Sequence, residues 1–138
     1  MIVPVFNLTI RQRWLDLILS GEKREEYRDA NSLSCRKWDE LGVPELVAHN
    51  HGRGAPSVGV YRAGYRLDSF SIAVLVEFVR RPDYRRASLA PAHPEWGEPS
   101  GPHWTIGLGP VVRSGTYSDV RRFLETEAGL NLSNRTTA

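Results

Sequence analysis

The spacing of apolar residues predicts a strand followed by a helix at the start of the chain. Residues 3–10 are apolar and rich in β-branched side chains, with Pro4 near their beginning, which is typical of a strand that starts at a sheet edge. Thr9 and Gln12 have the spacing of a capping box, and Gly21 stands where a left-handed C-cap is expected. Between them the apolar side chains share one helical face: Trp14, Leu15, Ile18 and Leu19.

Apolar runs, glycines and prolines predict the remaining elements. Four further strands are predicted at residues 23–28, 45–50, 70–81 and 103–112. Two further helices are predicted at residues 32–42 and 116–129. The last helix has an apolar face made by Val120, Phe123, Leu124 and Ala128. Two segments rich in glycine or proline are predicted to be loops, at residues 51–59 and 82–102.

This order of elements, with a strand, a helix, several strands and a final helix, predicts an α+β fold. The sheet is expected to curve into a small barrel that is too narrow to enclose a wide lumen. A chain of 138 residues corresponds to one domain. We place that domain at residues 1–132, with a flexible C-terminal tail at residues 133–138.

Composition refines this picture by excluding some classes of protein. The formal net charge is +2 and there is no basic tail, which argues against a high-affinity duplex-binding protein but leaves room for a local basic patch. Cys35 is the single cysteine, which excludes an intramolecular disulfide and fits a reducing compartment. The N-terminal residues lack the features of a signal peptide, and no apolar run is long enough to span a bilayer. We therefore expect a cytoplasmic protein with no membrane partner.

A dense cluster of charges follows the first helix and includes Lys23, one of two lysines among the 18 Lys and Arg residues. Three interpretations of this cluster are open. Lys23 would neutralise the carbonyl groups at the end of the helix. Alternatively, alternation along a strand would separate Lys23 from Glu26 and Arg28 and leave a solvated charge network. In the third interpretation, a twist of the chain brings Lys23, Glu26 and Arg28 into one pocket.

The third interpretation has a definite chemistry. Burial would lower the pKa of Lys23 whereas the nearby carboxylates would raise it, and we expect Lys23 to stay charged. A charged lysine stabilises a phosphate or an oxyanion, and the planar guanidinium of Arg28 fits a phosphate or the edge of a base. Glu26 would either activate a water as a general base or accept a hydrogen bond from an exocyclic amine.

Other candidates have a structural and a functional interpretation side by side. Glu77 lies in an apolar strand, where it would either pair with an arginine or act in catalysis. Trp96 and Trp104 lie in or beside the long proline-rich loop and would either stack on a base or pack in the core. The four histidines lack the spacing of a metal site, and Cys35 has no local histidine to activate it.

Three segments of the chain resemble the phage-type members of the ASCH family. The first segment, residues 8–28, reads as a strand, a short helix that ends in Gly-x-Lys, and a second strand with a final Arg; its matching residues are Gly21, Lys23, Glu26 and Arg28. In the second, residues 64–81, the motif Gly64, Tyr65 and Arg66 precedes an apolar strand. The third, residues 94–112, contains a Trp-Gly pair and a closing strand rich in glycine. The resemblance covers residues 5–112.

The resemblance implies a small PUA-like β-barrel with a cleft that takes a nucleobase or the end of a nucleic acid. Members of the family are associated with RNA binding, with amidohydrolysis of N4-acylated cytidine and with ribonuclease activity. In the amidohydrolase branch a Lys, a Thr and a Glu form the catalytic set, in which Lys23 matches the lysine and Glu26 stands in place of the threonine. The acid that completes the set would be Glu77, Glu95 or Glu98.

The leading hypothesis is therefore a domain that binds RNA or a modified nucleobase or nucleotide. Its reactive side chains would be Lys23, Glu26 and Glu77. Its ligand contacts would come from Arg28, Tyr27, Tyr65, Arg66, Trp96 and Trp104. One alternative is a hydrolase on the same site, either an N4-acylcytidine amidohydrolase or a metal-assisted ribonuclease. No cofactor is expected, other than Mn²⁺ or Mg²⁺ as an option for a ribonuclease. Another alternative is a phage accessory module whose partner is a host protein.

Overall fold

The computed structural model describes residues 2–30, 33–83 and 101–128. In these ranges the chain forms five strands and four helices, and the α+β class predicted from the sequence is confirmed. The strands are β1 Val3–Thr9, β2 Glu25–Asp29, β3 Ser57–Arg62, β4 Phe70–Arg80 and β5 His103–Thr116. The helices are α1 Gln12–Ser20, α2 Leu33–Glu40, α3 Val43–Gly52 and α4 Tyr117–Ala128.

The five strands form one mixed sheet in the order β1-β3-β4-β5-β2. β1 pairs with β3 in parallel, and all other neighbouring strands are antiparallel. β1 and β2 are therefore the two edge strands, yet Arg28 Nη2 of β2 donates a hydrogen bond to the carbonyl oxygen of Thr9 in β1, at 3.3 Å. A single side chain spans the two edges because the sheet curls strongly, as the sequence predicts.

The two faces of the sheet bury separate cores. The inner face packs against α1, α2 and α3 through a large apolar cluster that includes Phe6, Leu15, Trp38, Val47 and Ile106. The outer face packs against α4 through a smaller cluster: Val58, Val60, Ala73, Tyr117, Val120 and Leu124. Burial of both faces provides the main stabilisation of the fold, because apolar area removed from water is the dominant favourable term in folding.

Helix α1 matches its sequence prediction except at its start. Leu15 and Ile18 are buried, and Gly21 forms the C-cap with φ 83°, where its N–H donates to the carbonyl of Ile18. The predicted capping box at Thr9 is wrong, because Arg11 is the N-cap residue and no side chain caps the helix. Thr9 is instead the last residue of β1, where its backbone is needed for the sheet.

The predicted strand at residues 45–50 is wrong, because these residues lie within helix α3. Pro44 occupies the first turn of the helix, where backbone N–H groups have no acceptor within the helix, so the absence of an N–H in proline costs no hydrogen bond. Val43, Val47 and Asn50 are buried at the spacing of one helical face. The predicted loop at residues 51–59 is correspondingly shorter, since α3 extends to Gly52 and β3 begins at Ser57.

β4 is the central strand of the sheet, and β5 lies between β4 and the edge strand β2. β5 extends to Thr116, beyond its predicted end, and runs directly into α4.

Most of the predicted loop at residues 82–102 and the predicted tail at residues 133–138 lie outside the described residues. None of the helices in residues 2–30, 33–83 and 101–128 combines the length and the apolar character that crossing a bilayer requires.

Gly107 in β5 marks a close approach between neighbouring strands. It lies opposite Phe78 of β4, and a Cβ atom at Gly107 would overlap the aromatic ring of Phe78. We expect Gly107→Ala to lower the free energy of unfolding by about 1–3 kcal/mol, measured by urea denaturation, because the ring must leave its position.

Gly101→Ala is the matched control, because no heavy atom of the described residues, its chain neighbours aside, lies within 4 Å of a Cβ atom placed there. In the Phe78→Ala background the cost of Gly107→Ala should largely vanish, since the overlapping ring has been removed. An equal cost of Gly107→Ala with and without the ring would contradict this account.

Candidate functional site

Lys23 is buried beneath the end of helix α1. Its backbone N–H donates to the carbonyl of Leu17 at 3.0 Å, which turns the chain back immediately after the Gly21 cap. Lys23 is 2% exposed, and its ammonium lies 4.8 Å from the ring centroid of Tyr27 and 5.5 Å from that of Trp14. Because β2 begins only at Glu25, alternation along the strand does not decide which way Lys23 points.

Glu26 is the central residue of the site. It is 6% exposed and lies on β2 opposite Ile106, a residue of the inner core. Its carboxylate lies 3.7 Å from Lys23 Nζ and 3.8 Å from Arg28 Nη2, and it also accepts a hydrogen bond from the backbone N–H of Tyr27 at 2.9 Å. The structure therefore brings Lys23, Glu26 and Arg28 together, and we call these three residues the charge cluster.

Arg28 connects the charge cluster to the seam between the two sheet edges. It lies opposite Trp104 in the β2–β5 ladder, and its side chain is 26% exposed. Its Nη2 donates to Thr9 at the end of β1, whereas its Nε is buried and has no hydrogen-bond partner among the described residues. Arg28 is thus the member of the cluster through which a ligand at the seam would reach the buried carboxylate.

The electrostatics of Lys23 are set by opposing influences. Burial is the largest and lowers the pKa of Lys23; the charge of Glu26, its hydrogen bond to Lys23 and the charge of Glu25 raise it, and Arg28 lowers it further. Burial outweighs the carboxylates, so the net pKa lies below its ordinary value. The expectation that Lys23 stays charged remains a prediction, because a lowered pKa does not by itself make the amine neutral.

Tyr61 is a residue of this site that the sequence analysis missed. It lies on β3 with 0% exposure, and its hydroxyl has no hydrogen-bond partner among the described residues. Burial raises the pKa of Tyr61; the charge of Glu26 raises it further, whereas that of Arg28 lowers it. The hydroxyl therefore stays neutral. Gly59, two residues earlier on the same face, provides the signal in the sequence, because a Cβ atom there would lie 3.4 Å from the Tyr61 hydroxyl.

Aromatic rings support the charge cluster from the core side. Trp38 contacts Phe6 at a centroid distance of 4.7 Å and Trp104 at 5.6 Å in an edge-to-face arrangement. Trp104 is buried, so its ring packs in the core, and it lies beside Arg28 across the ladder. The indole N–H of Trp38 is also buried without a partner among the described residues.

Of the other predicted site residues, Tyr27 contacts the charge cluster through its backbone N–H and its ring, and the remainder either make none of the contacts given above or lie outside the described ranges. Tyr27 is half-buried, and its hydroxyl donates to Glu25 at 3.0 Å. Tyr65 and Arg66 are exposed in the turn between β3 and β4, and Glu77 is exposed on β4. None of these last three contributes to the contacts of the charge cluster given above. Three predicted residues lie outside the described residues: Glu95, Trp96 and Glu98.

Neither metal ligands nor known relatives identify the site. In the described part of the chain, no group of three or more His, Cys, Asp and Glu side chains is arranged to hold a metal ion. Comparison of the chain with protein-family models, with curated proteins and with solved structures gives no match. What the site does is therefore argued from its geometry.

Proposed function

We propose that this protein is an ASCH-type, PUA-like domain that binds RNA or a modified nucleobase at the seam between β1 and β2. The observation that carries the proposal is the charge cluster itself, in which a buried carboxylate lies between a buried ammonium and a partly exposed guanidinium. Buried charges cost free energy unless they are paired, so such a cluster is more typical of a functional site than of a surface network.

The groups of the cluster match the hydrogen-bonding edge of a base. Glu26 accepts hydrogen bonds and suits an exocyclic amine, whereas Arg28 donates and suits a ring nitrogen or a carbonyl oxygen. Arg28 keeps a buried Nε–H without a partner among the described residues, which leaves one donor for a ligand. The surrounding aromatic core excludes water, and hydrogen bonds gain strength in such an environment.

Basic and aromatic side chains lie at the same end of the sheet and suit a nucleic-acid backbone. The N–H of Ile10 donates to the carbonyl of Arg62 at 2.8 Å, which places the start of α1 beside the turn that follows β3. Arg11, Tyr65 and Arg66 are exposed there. Arginines in such positions contact phosphates, and an exposed tyrosine provides a ring on which a base stacks. With a net charge of +2, we expect modest affinity for long RNA.

A hydrolase on the same site is the second candidate, and the lowered pKa of Lys23 favours it. A neutral Lys23 amine would take a proton from water while the water oxygen adds to the acyl carbon of an N4-acylated cytidine. The C–N bond then breaks, and the departing amino group receives that proton from Lys23. The products are a carboxylic acid and cytidine, and no further reactant is needed.

A thermal-shift screen against nucleosides, nucleotides and short RNAs tests the binding proposal. A ligand at a hundredfold excess over its dissociation constant adds about 2.7 kcal/mol to the free energy of unfolding, which raises the melting temperature measurably. We expect one class of base to stabilise the wild type. The shift should be lost in Lys23→Met and Arg28→Ala, which remove charges from the cluster.

Arg121→Ala is the matched control, because Arg121 lies on α4 and pairs with Glu125 at 3.1 Å, away from the cluster. Release of cytidine from N4-acetylcytidine, or cleavage of RNA with and without Mn²⁺, would show that the site is catalytic. The proposal fails if no compound shifts the melting temperature. A stoichiometric protein partner in a pull-down without nucleic acid would then favour the protein-interaction alternative.

A further inference from the structure

Two buried hydrogen-bond donors near the seam between β1 and β2 have no partner among the described residues. Arg28 Nε and the Tyr61 hydroxyl are both buried, and neither has a hydrogen-bond partner in residues 2–30, 33–83 and 101–128. An unsatisfied buried polar group costs free energy, so native proteins rarely retain one without a reason. Two such donors beside one seam are groups that an acceptor-bearing ligand would satisfy.

The strand register places Tyr61 beside the same seam that Arg28 spans. Tyr61 pairs with Leu8 in the parallel β1–β3 ladder, so both side chains lie on the inner face. The next residue of β1, Thr9, accepts the hydrogen bond from Arg28. The ring of Tyr61 lies over Gly59, where a Cβ atom would come within 3.3 Å of it. Tyr61 thus lies on the strand beside β1, whose last residue contacts Arg28, and the charges of Glu26 and Arg28 both act on its hydroxyl.

We propose that Tyr61 is a specificity-determining residue of this site, which donates a hydrogen bond from its hydroxyl to an acceptor atom of the bound base, beside the atom that Arg28 contacts. This inference rests on the proposed function. The ligand it selects is a planar heterocycle that presents two neighbouring acceptors, such as a ring nitrogen and a carbonyl oxygen, together with a donor for Glu26. A base that presents a different hydrogen-bonding edge should bind more weakly, because the donors of Arg28 and Tyr61 would then have no acceptor.

A second buried tyrosine shows what a purely structural phenol does in this fold. The hydroxyl of Tyr117 accepts a hydrogen bond from Asn7 Nδ2 at 2.8 Å, on the outer side of the sheet. Tyr117 is therefore satisfied within the protein, whereas Tyr61 has no such partner among the described residues. The two tyrosines therefore differ in whether the hydroxyl has a hydrogen-bond partner among the described residues, and the inference depends on this difference.

Matched tyrosine-to-phenylalanine variants test the inference. The dissociation constants of cytidine, uridine, adenosine and guanosine would be measured by calorimetry for the wild type, Tyr61→Phe and Tyr117→Phe. We expect Tyr61→Phe to weaken the best-bound nucleoside about tenfold and to reduce the preference among the four. Its melting temperature without ligand should be equal to or above that of the wild type. Tyr117→Phe should bind like the wild type but melt at a lower temperature.

Any other outcome contradicts either the inference about Tyr61 alone or the proposed function as well. If the wild type binds and Tyr61→Phe binds equally well, Tyr61 does not contact the ligand, while the proposed function stands. If Tyr61→Phe melts well below the wild type, its hydroxyl is satisfied within the folded protein and the inference is wrong. If none of the four nucleosides nor a short RNA binds the wild type, the proposed function falls, and the inference falls with it.

Discussion

Glu26→Ala is expected to lower the free energy of unfolding by about 3 kcal/mol near neutral pH, because the change removes a carboxylate that pairs with a buried ammonium. The ammonium is that of Lys23, which is buried and lies 3.7 Å from the carboxylate of Glu26. Arg28 loses its partner as well. The same variant should abolish the thermal shift with nucleosides, since the acceptor of the site is gone. Urea denaturation and the ligand screen measure both effects.

The loss in Glu26→Ala should shrink as the pH rises. Without Glu26, burial lowers the pKa of Lys23 further below its ordinary value of 10.5. Between the folded and the unfolded pKa, the unfolded state binds more protons, so the stability of the variant rises with pH across this window. Below the folded pKa, Lys23 is charged in both states and the full penalty remains.

Two variants serve as controls for Glu26→Ala. Glu125→Ala breaks the half-buried pair with Arg121 on α4 and should cost no more than about 1 kcal/mol. In a Lys23→Met background, Glu26→Ala should lose most of its pH dependence, because the titrating amine is absent. A loss in Glu26→Ala equal to that in Glu125→Ala would mean that the cluster is solvated and not a buried site.

Trp38→Ala is expected to lower the free energy of unfolding by about 3–5 kcal/mol, because the change leaves a large cavity in the inner core. Trp38 is buried, and its ring contacts both Phe6 and Trp104. Trp104 lies opposite Arg28, so loosening of this aromatic contact should also weaken ligand binding. Chemical denaturation measures the stability, and calorimetry with a nucleoside measures the affinity.

Trp38→Phe separates the packing of the ring from the indole N–H, which has no hydrogen-bond partner in the part of the chain that the structure describes. It keeps an aromatic ring and removes the buried donor, so it should cost less than half as much as Trp38→Ala. Trp14→Ala provides a second comparison, because Trp14 is only half-buried on α1. If Trp38→Ala lowered the free energy of unfolding no more than Trp14→Ala does, Trp38 would not be a main packing residue of the inner core.

The parts of the fold that sequence reasoning predicts well are those with local causes. Helix α1 has an apolar face and ends at a glycine with positive φ, and both features lie within one turn of the residues they affect. The sequence predicts a strand where helix α3 lies, because a six-residue window with three apolar residues at its centre fits both periods. The buried residues Val43 and Asn50 lie at or beyond the ends of that window, and they reveal the helical spacing only when they are included.

The site was harder to predict because it depends on contacts between distant residues. Alternation places Lys23 on the face opposite to Glu26, but Lys23 precedes the strand and its direction follows from the bond to Leu17. Tyr61 was missed because Gly59, two residues earlier, indicates only that its ring needs room, not that its hydroxyl has no partner among the described residues. The curl of the sheet, which brings Thr9 of β1 to Arg28 of β2, cannot be seen locally in the sequence either.

The pairing of the two edge strands has a consequence for how the protein folds. β1 joins the sheet through residues far along the chain, with Val3 opposite Ser57, and β2 joins through Glu25 opposite Gly107. Contacts at such sequence separations close long loops before they are stabilised, which slows folding. We therefore expect the seam between β1 and β2 to form after β3, β4 and β5 have paired. A nascent chain acquires this site only once β5 has been synthesised.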